Sequence, residues 1–195
     1  MNITTQTLNV HIHHSADTMA AMERAMHTLG RAEATPTTSA AVPVQPGEYW
    51  PGQGGHYVCT LPAMQGLPAR HLIVATDEHE EITWGPRDND MHAATSQADG
   101  KGNTAALVQA GKHPAAQWAS EYSADGHNDF HLPSRYELFM CWLCAPQLFS
   151  KDNWYWTSSQ YSRLSAWFQA FEYGDSSCSG KGGKLRARPV RWIQL

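Results

Sequence analysis

From residue 153 to residue 192, aromatic and β-branched runs alternate with connections rich in Ser, Gly and Asp. Trp154-Tyr155-Trp156-Thr157-Ser158-Ser159 opens the series and Ala166-Trp167-Phe168-Gln169-Ala170-Phe171 follows. The third run is Leu185-Arg186-Ala187-Arg188-Pro189-Val190-Arg191-Trp192-Ile193. Each reads as a strand. The connections between them, including the polar stretch 173–184, read as exposed loops leaving one end of a sheet. Their apolar bulk is almost confined to Tyr161, Leu164 and Tyr173. Polar, aromatic-dotted loops on a rigid scaffold are the anatomy of a binding surface rather than of a catalytic cleft.

Upstream, the period changes. Ser134-Arg135-Tyr136-Glu137 is a capping box, in which the hydroxyl takes an orphan amide and the carboxylate reaches back. The helix it starts can turn Leu138, Cys141, Trp142 and Cys144 or Ala145 to the core, and Pro146 closes it. Residues 103–110 begin another helix, with Leu107 and Val108 inward, and residues 114–122 a third; Asp125-Gly126 marks a turn. Strands are expected at 56–61 and 70–75, paired across the turn at 62–68, and at 81–84. The polar stretch 88–103 reads as loop.

The N-terminal pattern is different again. Residues 7–13 alternate as a strand. Ser15 then caps a helix carrying Met19, Met22, Met26 and Leu29 at 3-4-3 spacing, which Gly30 ends. A helix of about four turns is marginal alone and needs a partner surface. Residues 1–30 are therefore expected to serve oligomerisation or attachment. Residues 31–47, rich in Ala, Thr, Ser and Pro, form a linker, and 48–195 the main domain. His11 and His13 share a strand face, and copies around a threefold axis could offer them to a transition metal. Exposed polar strand residues are the simpler reading, and no metal is assigned.

Composition narrows the function. The 195 residues are 42% hydrophobic and 16% charged, which is ordinary globular chemistry. Eight Trp and seven Tyr supply anchors for cores and interfaces. A formal charge of −4 recommends no nucleic-acid partner and no anionic membrane. No run approaches the roughly 20 apolar residues of a membrane span, and no basic start precedes an apolar segment. Synthesis in the bacterial cytoplasm is expected, the chain then staying there or leaving by another route, such as inside a virus particle. Four cysteines are too few for a disulfide framework, and Cys141-Trp-Leu-Cys144 lacks a second pair for zinc. They read as free thiols. No phosphate loop or nucleophile signature is present. Of the carboxylates Glu121, Asp125, Asp129 and Glu137, two already have structural roles, so no enzyme is expected.

Several segments in order resemble a known family. Gly102-Asn103-Thr104-Ala105-Ala106-Leu107, Pro114-Ala115-Ala116-Gln117-Trp118-Ala119 and Asp129-Phe130-His131-Leu132-Pro133-Ser134 with Glu137-Leu138 come first. Tyr155-Trp156-Thr157-Ser158-Ser159, Ala166-Trp167, Phe171, Gly174 and Arg186-Ala187-Arg188-Pro189-Val190-Arg191 complete the set. This pattern resembles the C-terminal domain of the collagen-like Legionella adhesin, common in phage and prophage proteins. The resemblance implies an α+β, C-type-lectin-like domain with a short strand-helix appendage before it. The segments by which lectins of this fold hold calcium are missing, so bound calcium is not expected. The fold also carries formylglycine-generating oxidases, whose paired active cysteines Cys141 and Cys144 match poorly.

A further resemblance is to the variable proteins of diversity-generating retroelements, which place mutable positions in the last strands and loops. The matching positions are Ser162, Arg163, Leu164, Glu172, Tyr173, Asp175, Ser176, Ser177 and Cys178. With Tyr161 and Trp167 as aromatic anchors, these form the expected ligand-binding set. The resemblance implies a phage receptor-binding or tail-tip protein whose ligand is a host-surface glycan or protein. It would act as a homo-oligomer, trimer favoured, among other virion proteins. A structural virion component with no receptor is the alternative.

Overall fold

The computed structural model describes residues 41–43 and 45–195. The expected strand at 7–13, the Met19, Met22, Met26 and Leu29 seam and the His11 and His13 pair lie outside the described residues. So does most of the expected linker.

The described chain is α+β. In order it forms β1 (Tyr49–Trp50), β2 (Gly55–Leu61), β3 (Arg70–Ala75), β4 (His79–Thr83), α1 (Gly100–Ala110), α2 (Pro114–Glu121) and α3 (Arg135–Cys144). β5 (Trp154–Gln160), β6 (Ser165–Ala170), β7 (Ser176–Gly180), β8 (Lys184–Ala187) and β9 (Val190–Gln194) follow. One sheet, ordered β1-β2-β3-β9, is antiparallel throughout. The other, β4-β8-β5-β6-β7, is antiparallel except where β5 meets β8.

Two apolar clusters result. Trp84, Leu107, Trp156, Phe168 and the alanines of α2 pack between the second sheet and α1–α2. Val58, Leu72, Val74, Leu138, Cys141, Tyr155 and Phe171 pack between the first sheet and α3. Trp156 and Trp84 can be fully buried in the first cluster because their indole N–H groups find carbonyls. Trp156 donates to Ile82 at 2.9 Å and Trp84 to Thr157 at 2.8 Å. The cysteines are free; Cys141 is buried, with Cys59 and Cys144 half-buried against the same cluster. Burial and the neighbouring thiol push Cys59 up to about 12, far from a reactive thiolate.

The secondary structure departs from the sequence reading in several places. The run 185–193 is two strands, because Pro189 has no N–H for a ladder. At that break Arg188 donates to the carbonyls of Ala75, Thr76 and Leu148, and the chain crosses from one sheet to the other. Within the expected loop 173–184, Ser176–Gly180 forms the edge strand β7. Ser and Gly have low strand propensity, but a register of five pairs with β6 overrides it. The stretch 88–103 holds a 3-10 turn, His92–Ala94, and α1 starts at Gly100, capped by Asp99, which accepts from the Gly102 amide at 2.8 Å. Gly100 hid this start, and only Gly fits there: a Cβ would lie 2.2 Å from Glu137 Oε2. Val108 faces outward rather than inward, because one helical step past buried Leu107 rotates it off the core face.

One polar side chain in the expected loop is enclosed. Lys181 is fully buried, donating to Gln160 Oε1 at 2.6 Å and to the Asn89 carbonyl, with Trp84 beneath it at 4.8 Å. Burial draws its ammonium down to about 8, and Asp90 opposes this only in part. The unfolded chain therefore binds more protons than the folded one between pH 8 and the ordinary lysine range. Stability contributed at this site should rise with pH across that window. Urea midpoints of the wild type and Lys181→Met from pH 7 to 10.5 should converge or separate accordingly. Parallel pH dependences would show that Lys181 stays charged in the fold.

Candidate ligand-binding surface

The surface begins with buried hydroxyls. Thr157, Ser158 and Ser159 of β5 have no exposed surface, an unusual place for polar side chains. Each hydroxyl group or amide is used. Ser159 Oγ donates to the Ser96 carbonyl at 2.6 Å and accepts from the Arg135 amide at 3.1 Å. The Ser158 amide donates to the Pro133 carbonyl at 2.7 Å. Asn103 holds the same loop, accepting from the Ser96 amide at 3.1 Å and donating to its carbonyl at 2.7 Å. These bonds fix the first residue of α3, and hence the Arg135 side chain, against the second sheet.

The capping box lies directly behind. Ser134 Oγ accepts from the Glu137 amide, while Glu137 Oε2 accepts from the Ser134 amide at 2.8 Å and its hydroxyl at 2.9 Å. Glu137 has no exposed surface, and Arg70 and His131 approach it at 3.9 and 3.5 Å. Burial pushes its carboxyl up, but the His131 charge and the Ser134 hydrogen bonds outweigh this and hold it below the usual range. At 3.5 Å the imidazole is an ion contact rather than a hydrogen bond.

β6 and β7 carry the surface itself. Their register pairs Trp167 with Cys178 and Gln169 with Ser176. Alternation puts those four side chains on one face and Ala166 and Phe168 on the other, in the core. On the first face the Arg135 guanidinium lies 3.6 Å over the Trp167 ring. Its Nε donates to Ser176 Oγ at 2.9 Å and its Nη1 approaches Gln97 Oε1 at 3.5 Å. Tyr161 and Trp167 are perpendicular with ring centroids 4.8 Å apart, so arginine, indole and phenol form one contiguous cluster. Gln97, Arg135, Tyr136, Phe139, Gly174 and Ser176 line a groove of about 320 Å³ beside it. Gly174 is required: its φ is +82°, and a Cβ would lie 2.3 Å from the Trp142 ring.

The expected loops do not leave one end of the sheet. In an antiparallel meander successive turns alternate, so residues 161–164 and 171–175 lie at opposite ends of β6. Roughly 17 Å of strand separates them. The turn at 181–183 joins the first, its Lys181 amide donating to the Leu164 carbonyl. Tyr161 and Leu164 are exposed, at 55% and 49%, and Tyr173 more so at 76%. Arg163 is exposed but paired with Asp88 at 2.7 Å. Glu172, Asp175 and Ser177 are exposed, and the Glu172 carboxylate beside it raises the Tyr173 phenol. Ser162, Trp167, Ser176 and Cys178 are half-buried. Ser162 is turned inward to its own hairpin, bonded to Ser165 Oγ at 2.7 Å.

Sequence reasoning missed Arg135, Gln97, Tyr136 and Phe139. The available signal was the first turn of the capped helix, which the capping box at Ser134 and Glu137 fixes in place; Tyr136 packs partly against the cluster of Leu138 and Cys141. The carboxylates weighed for chemistry are separately engaged or exposed. Asp125, in the left-handed region, accepts from Tyr49 and the Gly52 and Gly54 amides, and Asp129 pairs with Arg191 at 2.7 Å. Among the described residues no cluster of three or more His, Cys, Asp or Glu is placed to hold a metal, and no helix is long and apolar enough to cross a membrane. A scan against protein-family models finds no matching family, and a search of curated proteins finds no matching relative.

Proposed function

We propose that residues 48–195 form a non-enzymatic ligand-binding module of the C-type-lectin-like kind, used by a phage tail-tip or prophage protein to engage a host-surface receptor. The observation that carries the binding reading is the cluster of Tyr161, Trp167 and Arg135 on a fixed sheet face beside a groove, with Tyr173 exposed at the far end of β6. Tyr, Trp and Arg are the residues in which interface energy concentrates. Their positions are set by buried hydroxyls and a capping box rather than by loop flexibility, so little ordering entropy opposes binding. The lectin-like reading is supported by the last strand, β9, closing on β3 in the first sheet while a second sheet carries the surface. Adsorption of the labelled full chain to host bacteria tests the function; no saturable adsorption to any host of such a phage would end it.

A structural role within a virion is favoured by a different feature. On α3, Phe139 and Leu143 are exposed at 38% and 57%, one turn apart, an apolar strip that a neighbouring subunit could cover. In either role residues 1–30 are proposed to hold copies together through Met19, Met22, Met26 and Leu29, as a trimer. Removing 1–47 should then leave a folded monomer in light scattering. A truncated protein that keeps the full-length oligomeric state would place the interface in the main domain.

A further inference from the structure

The two sheets of the described chain have four outer strands, and three of them are protected. β1 is two residues long and runs into Pro51. β4 carries a register shift between His79 and Ile82 and the exposed carboxylates Glu80 and Glu81. β9 is covered at Val190, which exchanges both main-chain hydrogen bonds with His131. Short length, bulges, charges and coverage are the means by which sheet edges avoid pairing with another chain. β7 has none of them. Ser176–Gly180 holds no charge and no proline, and its five pairs with β6 run without a shift. The outward groups of that edge follow from the ladder. The Ala170 amide donates to the Asp175 carbonyl at 2.8 Å, and the Lys181 amide to the Leu164 carbonyl at 3.1 Å. Bonded pairs alternate with unbonded ones in an antiparallel ladder, so Phe168 with Ser177 and Ala166 with Ser179 are the bonded pairs between them. The N–H and C=O groups of Ser176 and Cys178 therefore point away from β6, and among the described residues they have no hydrogen-bond partner.

A hollow lies on each side of this edge. On one face is the groove of about 320 Å³ that holds Arg135. On the other, Trp154, Phe168, Ala170, Asp175 and Ser177 line a hollow of about 380 Å³, where the exposed Trp154 ring stacks on Phe168 at 4.8 Å. Ser176 lines both. The two hollows carry opposite charge, Arg135 in one and Asp175 in the other, and among the described residues neither side chain is in an ion pair. A strand laid along β7 would bond to Ser176 and Cys178 and send alternate side chains into the two hollows. The side chain opposite Ser176 meets the guanidinium, which bonds to Ser176 Oγ at 2.9 Å, and an acid suits that position. The side chain opposite Ser177 meets Asp175 and the Trp154 ring, and Lys or Arg suits that one. We infer that β7 takes up an extended protein segment by strand addition, acidic and basic residues alternating along it. The inference rests on the receptor reading of this surface and names the ligand as a strand of a host-surface protein.

The test uses the full chain, isotope-labelled for amide NMR, with capped hexapeptides as probes. One peptide alternates glutamate and lysine, a second has the same composition in two blocks, and a third is the alternating peptide with N-methyl groups on its backbone. The alternating peptide should bind saturably, at least about tenfold more tightly than the block peptide, and shift the Ser176 and Cys178 amides most. N-methylation should abolish that binding, since it removes main-chain donors and leaves the charges. Cys178→Pro should abolish it too and keep the fold, because the lost N–H faces outward on an edge strand. The N-methylated peptide makes the same test on the unaltered protein. Arg135→Gln and Asp175→Asn should each weaken binding, and Arg163→Gln should not. Equal binding of alternating and block peptides, retention after N-methylation, or no saturable binding would each overturn the inference. Self-association of the full chain that Cys178→Pro removes would also overturn it, assigning the edge to a second copy. Host adsorption separates it from the broader reading. Adsorption without peptide binding removes this inference alone, and peptide binding without adsorption removes the receptor reading alone.

Discussion

Glu137→Leu is expected to destabilise the domain by about 3–5 kcal/mol, the range for breaking a buried ion pair by removing one partner. The carboxylate has no exposed surface and stands between Arg70, also fully buried, and His131. Leucine fills the volume but leaves the Arg70 guanidinium with no anion, only the Pro68 carbonyl at 3.1 Å, the Ala98 carbonyl at 3.4 Å and the Trp192 ring at 5.7 Å. It also opens the capping box, freeing the Ser134 amide inside the protein. Against a total stability of about 5–15 kcal/mol, that loss is a large fraction. Ser134→Ala removes the cap and one donor to the same carboxylate, and should cost less, about 1–2 kcal/mol. Urea midpoints rank the two variants; equal, small effects would show that the Arg70 charge is solvated by rearrangement. The pH dependence has a defined sign. Glu137 is held below its ordinary range in the fold, so its contribution is complete above that range and lost as pH falls through the depressed value. Glu137→Gln should accordingly flatten the acid limb of the stability profile.

Tyr161→Ala should weaken host adsorption by about 30-fold, equivalent to about 2 kcal/mol at an interface centre, while costing no more than about 1 kcal/mol of stability. The asymmetry follows from its position. The ring is 55% exposed, yet its perpendicular contact with Trp167 joins it to the cluster that includes Arg135. Tyr173, 76% exposed, sits at the other end of β6. Tyr173→Ala should change the melting temperature hardly at all, and its effect on adsorption reports how far the receptor extends along the strand. Loss of adsorption with Tyr161→Ala alone would confine the footprint to the 161–164 end, and loss with both would require a ligand that spans the sheet face. Full adsorption by both variants would move the binding surface elsewhere. A large drop in melting temperature for both would place the rings in the core.

Much of the scaffold was legible because local chemistry and tertiary environment agree there. β3 coincides with the run Arg70–Ala75, the capping box stands at Ser134 and Glu137, and β5 begins at Trp154. Each combines a strong periodic or capping signal with burial of the side it predicts. The polar β7 was not legible, since nothing in Ser176–Gly180 favours a strand until β6 supplies its hydrogen bonds. Nor was the burial of Lys181, which depends on amide and carbonyl acceptors 21 and 92 residues away. The candidate surface divides in the same way. The exposed tyrosines could be named from composition because solvation is a local property of polar loops. That the two hairpin turns lie at opposite ends follows only from strand order. That Arg135, a first-turn helix residue, lies on Trp167 and beside Ser176 follows only from packing of α3 on the second sheet. Sequence by itself determined which segments could form strands, helices and a cap, because those depend on neighbours within a few residues. Tertiary structure alone decided which face carries the cluster and that Arg135 lies within it, because both depend on contacts across 32 and 41 residues of chain.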